Sequence, residues 1–96
     1  MQRDEILWKL RSIKDNLAKR YGVSHLALFG SVGRDEANEE SDIDLLVRFR
    51  ETPDLLTFLQ LEEELMVFLG QKVDLVPERK LKAPLKALLS KEAIAV

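Results

Sequence analysis

A chain of 96 residues has room for one hydrophobic core and hardly for a second, so residues 1–96 are read as a single domain. Hydrophobic residues make up 46% and charged residues 33%, a globular composition that excludes disorder, and no apolar run nears the roughly 20 residues a membrane span needs. The lack of cysteine excludes disulfides and thiolate metal sites, and a formal net charge of -2 argues against a dedicated nucleic-acid binder. The opening MQRDEILWKL carries charges where a signal peptide needs an apolar stretch, so the expected compartment is the cytoplasm.

In chain order, residues 3–21 read as a first helix. Ile6, Leu10, Ile13, Leu17 and Tyr21 recur at spacings of three and four, and Gly22 follows as a stop. Trp8 lies opposite that stripe. HLALF at 25–29 suits a short buried strand ended by Gly30 and Ser31, with His25 as a strand-edge residue and not a ligand. A short helix or turn is expected over 31–37. SDIDLLVRF then alternates, with Ile43, Leu45, Val47 and Phe49 on one face and Asp42, Asp44, Leu46 and Arg48 on the other. Pro53 and Asp54 open a long helix to about Leu69, closed by Gly70. KVDLV at 72–76 makes a third strand, ended by Pro77, and Pro84 opens a last helix of about two turns. The basic run Arg79, Lys80, Lys82 and Lys86 reads as a solvated approach to that helix. Together these elements predict an α+β fold, a small mixed sheet of three or four strands with helices packed on it.

Four features converge on one chemistry. Asp42 and Asp44 sit two apart on a strand, which puts both carboxylates on one face, off the core. Their mutual repulsion disfavours ionising both, and a divalent cation that takes carboxylate and phosphate oxygens removes that objection. Gly30-Ser31 ends a strand and enters a turn, where glycine lets the backbone approach a ligand while N–H groups and the serine hydroxyl face phosphate oxygens. Each feature alone also fits an ordinary solvated strand start or a helix cap. Their fixed spacing, Gly-Ser-x10-Asp-x-Asp, is expected by chance in about one chain per thousand of this length. Asp74, between the strand hydrophobes Val73 and Leu75, would complete a three-carboxylate cluster if its strand lies beside that of Asp42 and Asp44; otherwise it is an acid on an exposed strand face.

GSVGRDEANEESDIDLLV resembles the signature of the DNA polymerase β-like nucleotidyltransferases, and with the later KVDLV the whole chain is similar to their minimal nucleotidyltransferase group, the antitoxins paired with HEPN-domain toxins. The resemblance implies the polymerase β-like fold and transfer of AMP from ATP to a hydroxyl, a tyrosine of the HEPN partner. It implies two Mg²⁺ ions held by Asp42, Asp44 and Asp74, the last also helping to deprotonate the attacking hydroxyl. It carries nucleotide binding to Gly30, Ser31, Arg34 and Ser41, although Arg34 could equally pair with Glu36, Glu39 or Glu40. Asp35 and Asn38 depart from the family, which often carries glycine and a further basic residue there. Both lower the positive charge around a triphosphate.

A chain this short lacks the second domain that larger relatives use to hold an acceptor, so the acceptor surface is expected from another molecule. Helix 54–69 supports that. Leu55, Leu59, Met66 and Leu69 fill one stripe, and Phe58, Leu61, Leu65 and Phe68 widen it beyond an ordinary core face, so the helix either is buried on two sides or meets a partner or a second copy. Beside the enzyme stands a second reading, an antitoxin of this fold acting by stoichiometric contact with weak or no catalysis. Transfer to a small molecule is the third.

Overall fold

The computed structural model describes residues 2–30 and 42–96, the side chain of Ser90 excepted; the helix or turn expected over 31–37 lies outside them. Helix α1 runs Arg3–Tyr21 with Asp4 and Glu5 in its first turn and Lys19 and Arg20 in its last, each sign at the end of the helix dipole that favours it. Gly22 ends it in the left-handed region, φ 72°, its N–H donating to the Ala18 carbonyl at 3.1 Å. Strand β1, Val23–Phe29, starts two residues earlier than its apolar run suggested, because Val23 pairs with Phe49 ahead of an irregularity in register before His25. Strand β2 is Ile43–Phe49 and strand β3 Val73–Pro77. Helix α2, Leu55–Leu69, is capped by the Asp54 carboxylate, which accepts from the Thr57 N–H at 2.7 Å and is held below its ordinary pKa by that bond.

After a single 3₁₀ turn at Glu78–Lys80, helix α3 covers Ala83–Glu92, ten residues where about two turns were expected. Strand β4, Ile94–Ala95, follows; two residues carry no alternation by which to be recognised. The sheet order is β3-β2-β1-β4, with β1 antiparallel to both neighbours and β2 parallel to β3, so the sheet is mixed and four-stranded. His25 lies on an inner strand, exposed, past the two residues that β4 reaches.

The core lies between one face of the sheet and helices α1 and α2. Ile6, Leu10 and Leu17 of α1 and Leu61, Leu65 and Leu69 of α2 meet Leu28, Ile43, Leu45, Val47, Val73 and Leu75. This corrects the division of the long helix. Leu61 and Leu65 are fully buried core residues and Phe58 is partly buried against the core, whereas Leu55, Leu56, Leu59 and Val67 stay exposed. An apolar arc this broad gives periodicity no way to choose which part faces inward. At the β3 edge, Glu62 of α2 reaches across and accepts from the Leu75 N–H at 3.2 Å. No helix among the described residues is long and apolar enough to cross a membrane.

Candidate active site

The alternation of β2 divides its side chains between core and chemistry. Ile43, Leu45 and Val47 are 0–1% exposed against the helices, while Asp44, Leu46 and Arg48 point to the opposite face. Asp42 lies one residue ahead of the strand and is exposed. Strand β3 enters parallel to β2 with Asp44 abreast of Asp74 and Ile43 abreast of Val73, a register fixed at its start by the Ile43 N–H donating to the Lys72 carbonyl at 2.9 Å. Asp74 is thereby exposed on the acid face while Val73 and Leu75 enter the core, so it is no buried charge. From the other side β1 sets Phe29 opposite Asp44, and Gly30 comes next.

Gly30 meets two requirements here. Its φ of 77° is one that side chains with a Cβ rarely adopt, and a Cβ built there would overlap the Asp44 carboxylate, coming within 3.0 Å of its Cγ. Gly30 and the acid of β2 thus interlock, one giving up its side chain so that the other can occupy the space. Asp42, Asp44, Asp74 and Gly30 are brought to one end of the sheet. Ser31, Arg34 and Ser41 lie outside the described residues.

Mg²⁺ suits this donor set, hard carboxylate oxygens on adjacent strands with a glycine cleared beside them. The backbone juxtaposition stops short of a preformed cage: no three acid or histidine side chains among the described residues are grouped closely enough to hold a metal ion.

Farther along the same face stands a group that sequence reading missed. The Arg48 guanidinium donates to both Glu78 carboxylate oxygens, at 3.1 and 2.7 Å, and Lys86 approaches Glu78 at 3.7 Å. The hydrogen bonds from Arg48 chiefly hold the Glu78 carboxyl below its ordinary value, although partial burial opposes them, and the charges of Arg48, Lys86 and His25 add to the lowering. The signal for Arg48 was present, since it follows Asp44 by four on an alternating strand. Nothing local marks Glu78 as its partner, because their contact spans 30 residues.

A sequence profile of the family described as nucleotidyltransferase domain matches residues 10–96. The chain is 43% identical over 93 residues to the protein adenylyltransferase MntA of Thermococcus cleftensis, covering 97% of this chain and 94% of that one. A Methanocaldococcus jannaschii protein provisionally named as a protein adenylyltransferase is 51% identical over 75 residues, 78% of this chain and 76% of its own. Among solved structures, one provisionally described as a minimal nucleotidyltransferase superposes with a TM-score of 0.86 at 38% identity, covering 100% of this chain and 97% of that chain. A toxin–antitoxin structure containing AMP-PNP shares the fold at a TM-score of 0.71 and 24% identity, over 99% of this chain and 72% of that one.

Proposed function

Because the chain belongs to the nucleotidyltransferase domain family, we propose that it is a Mg²⁺-dependent protein adenylyltransferase that moves AMP from ATP to a hydroxyl of a protein acceptor. The observation that carries this reading is the placement of Asp44 abreast of Asp74, with Gly30 cleared of side chain beside Asp44.

In the proposed reaction the acceptor oxygen attacks the α-phosphorus of ATP. The new O–P bond forms as the bond to the pyrophosphate breaks, and pyrophosphate leaves. Asp74, exposed at the acid end of β3, takes the proton from the acceptor hydroxyl. Asp42, Asp44 and Asp74 would hold Mg²⁺, which when bound supplies positive charge to the phosphate oxygens as negative charge builds on them. Gly30 and Ser31 would take the triphosphate through backbone N–H groups and the serine hydroxyl, with Arg34 and Ser41 as further nucleotide contacts.

Two relatives of this chain support a protein acceptor. Its relative from Thermococcus is named as acting on protein, and toxin–antitoxin complexes share its fold. The proposed acceptor is a tyrosine of a HEPN-domain toxin, which would make the chain an antitoxin. The test incubates the purified chain with α-labelled ATP, Mg²⁺ and a purified HEPN-domain toxin. Label and a mass gain of one AMP on a toxin tyrosine are expected, with loss of both on chelation of the metal. A toxin silenced at one-to-one stoichiometry with no AMP attached would favour the binding-only reading, toward which Asp35 and Asn38 lean.

A further inference from the structure

The charge of this chain is unevenly spread. Residues 79–91 hold five basic side chains (Arg79, Lys80, Lys82, Lys86 and Lys91) and no acid, so the other 83 residues hold ten basic and seventeen acidic ones. The basic stretch begins at the rim of a cavity of about 300 Å³ walled by Phe49, Pro53, Leu55, Phe58, Leu59 and Pro77, with Arg79 and Lys80 at its edge. Phe49 and Phe58, both lining it, pack ring edge to ring face at 6.2 Å. Leu55 and Leu59 leave 72% and 48% of their surface to solvent beside it, and neither Arg79 nor Lys80 forms an ion pair among the described residues. An apolar socket with a free cationic rim fits an aromatic or aliphatic side chain set among carboxylates.

This chain carries such a knob. Trp8, its single tryptophan, is 71% exposed on α1. Glu5 stands one turn before it and Asp15 two turns after, on the same side of the helix, together with Asp4, which Arg3 approaches at 3.5 Å on the exposed surface. Arg11, the cation one turn on, donates to the Ala95 carbonyl at 3.2 Å. Cavities of about 150 Å³ admit a benzene ring, so this one has room for an indole. Trp8 does not line the socket, so the two are separate surfaces of the chain. Thirteen residues of helix put Trp8 about 20 Å from Tyr21, and Tyr21 lines a surface cleft with Gly22 and Pro53 that continues into the socket through Pro53.

We propose that this socket is a self-association site that takes Trp8 of a second copy, with Asp4 and Glu5 of that copy facing Arg79 and Lys80. The two surfaces differ, so copies add head to tail, into a ring where the rotation between them closes and into an open filament where it does not. The inference stands independently of the catalytic reading, since it uses no residue of the acid end.

Sedimentation velocity and tryptophan fluorescence across a concentration series test it on the intact chain. As concentration rises, mass should exceed the monomer and emission should shift to shorter wavelength together, because the only tryptophan leaves water on association. Trp8→Ala should remain monomeric. Leu59→Glu and Lys80→Glu, both at exposed positions, should each raise the concentration needed by about tenfold or more, and pairing Lys80→Glu with Glu5→Lys should restore much of the loss. Far-UV circular dichroism of Leu59→Glu checks that it folds. A chain monomeric at every concentration overturns the proposal. Assembly that Trp8→Ala leaves intact, or that grows without a change in emission, overturns it equally, as does a basic stretch that holds RNA instead of a second copy.

Discussion

The two faces of β2 share one backbone and obey different rules. Toward the helices, Ile43, Leu45 and Val47 are sealed from water and could be exchanged for other apolar side chains of similar volume at modest cost. Toward the open side, Asp44 and Arg48 are placed by the same pleat, yet each depends on one particular neighbour: the bare Cα of Gly30 for Asp44, the carboxylate of Glu78 for Arg48. The comparison shows how so small a domain supports chemistry. The core face fixes the position of the strand, and Asp44 and Arg48 inherit that position from the other side, where Leu46 between them is also buried.

If this division holds, substitutions on the two faces should separate activity from stability. The largest effect is expected from Asp44→Asn, which should cut AMP transfer on the order of a hundredfold or more, the scale of losing several kcal/mol of charge stabilisation, while its thermal midpoint without metal stays at or above that of the wild type. Next comes Leu45→Ala, the adjacent residue on the other face, which should lose about 2–5 kcal/mol in urea unfolding and should transfer normally at temperatures where it is folded. An Asp44→Asn protein that unfolds, or a folded Leu45→Ala protein that is inactive, would break the comparison.

Gly30→Ala sharpens it, because this substitution lies where β1 meets the reactive face. An alanine there must carry a positive φ and displace the Asp44 carboxylate, so it should lose about 1–3 kcal/mol of stability and transfer activity together. The smallest effect concerns Arg48 and Glu78. The folded carboxyl of Glu78 lies below its ordinary value of 4.5, so the unfolded chain takes up that proton first. The stability contributed by the pair is therefore complete above the ordinary value and is lost as pH falls from there through the folded value. Thermal midpoints of the wild type and Glu78→Gln should differ most near neutral pH and converge under acid; a constant gap would mean the pair does not contribute in this way.

Much of this was legible in the residues. The ends of α1 and α2 were marked by Gly22, Asp54 and Gly70, whose conformations and hydrogen bonds are local, and the β2 alternation separated core from acids correctly. Asp74 joins the acids of β2 only on condition that β3 lies against β2, and the parallel register meets it. What sequence could not resolve depended on distant packing. Leu61 and Leu65 belong to the core and Leu55 and Leu59 to the surface, a choice made by where the sheet lies and not by the helix itself. Strand β4 is too short to show a period, and the partner of Arg48 is 30 residues away.

The Glu62 contact at the margin of the sheet has a consequence beyond the fold. Among the described residues strand β3 is an outer strand, and a row of open amides along such a strand is a template on which another polypeptide can add itself. The carboxylate of Glu62 occupies the Leu75 amide from within the same chain and sets a negative charge where an incoming strand would have to lie. The sheet is thereby terminated by a side chain, and uncontrolled growth along that border is opposed by one residue of the helix behind it.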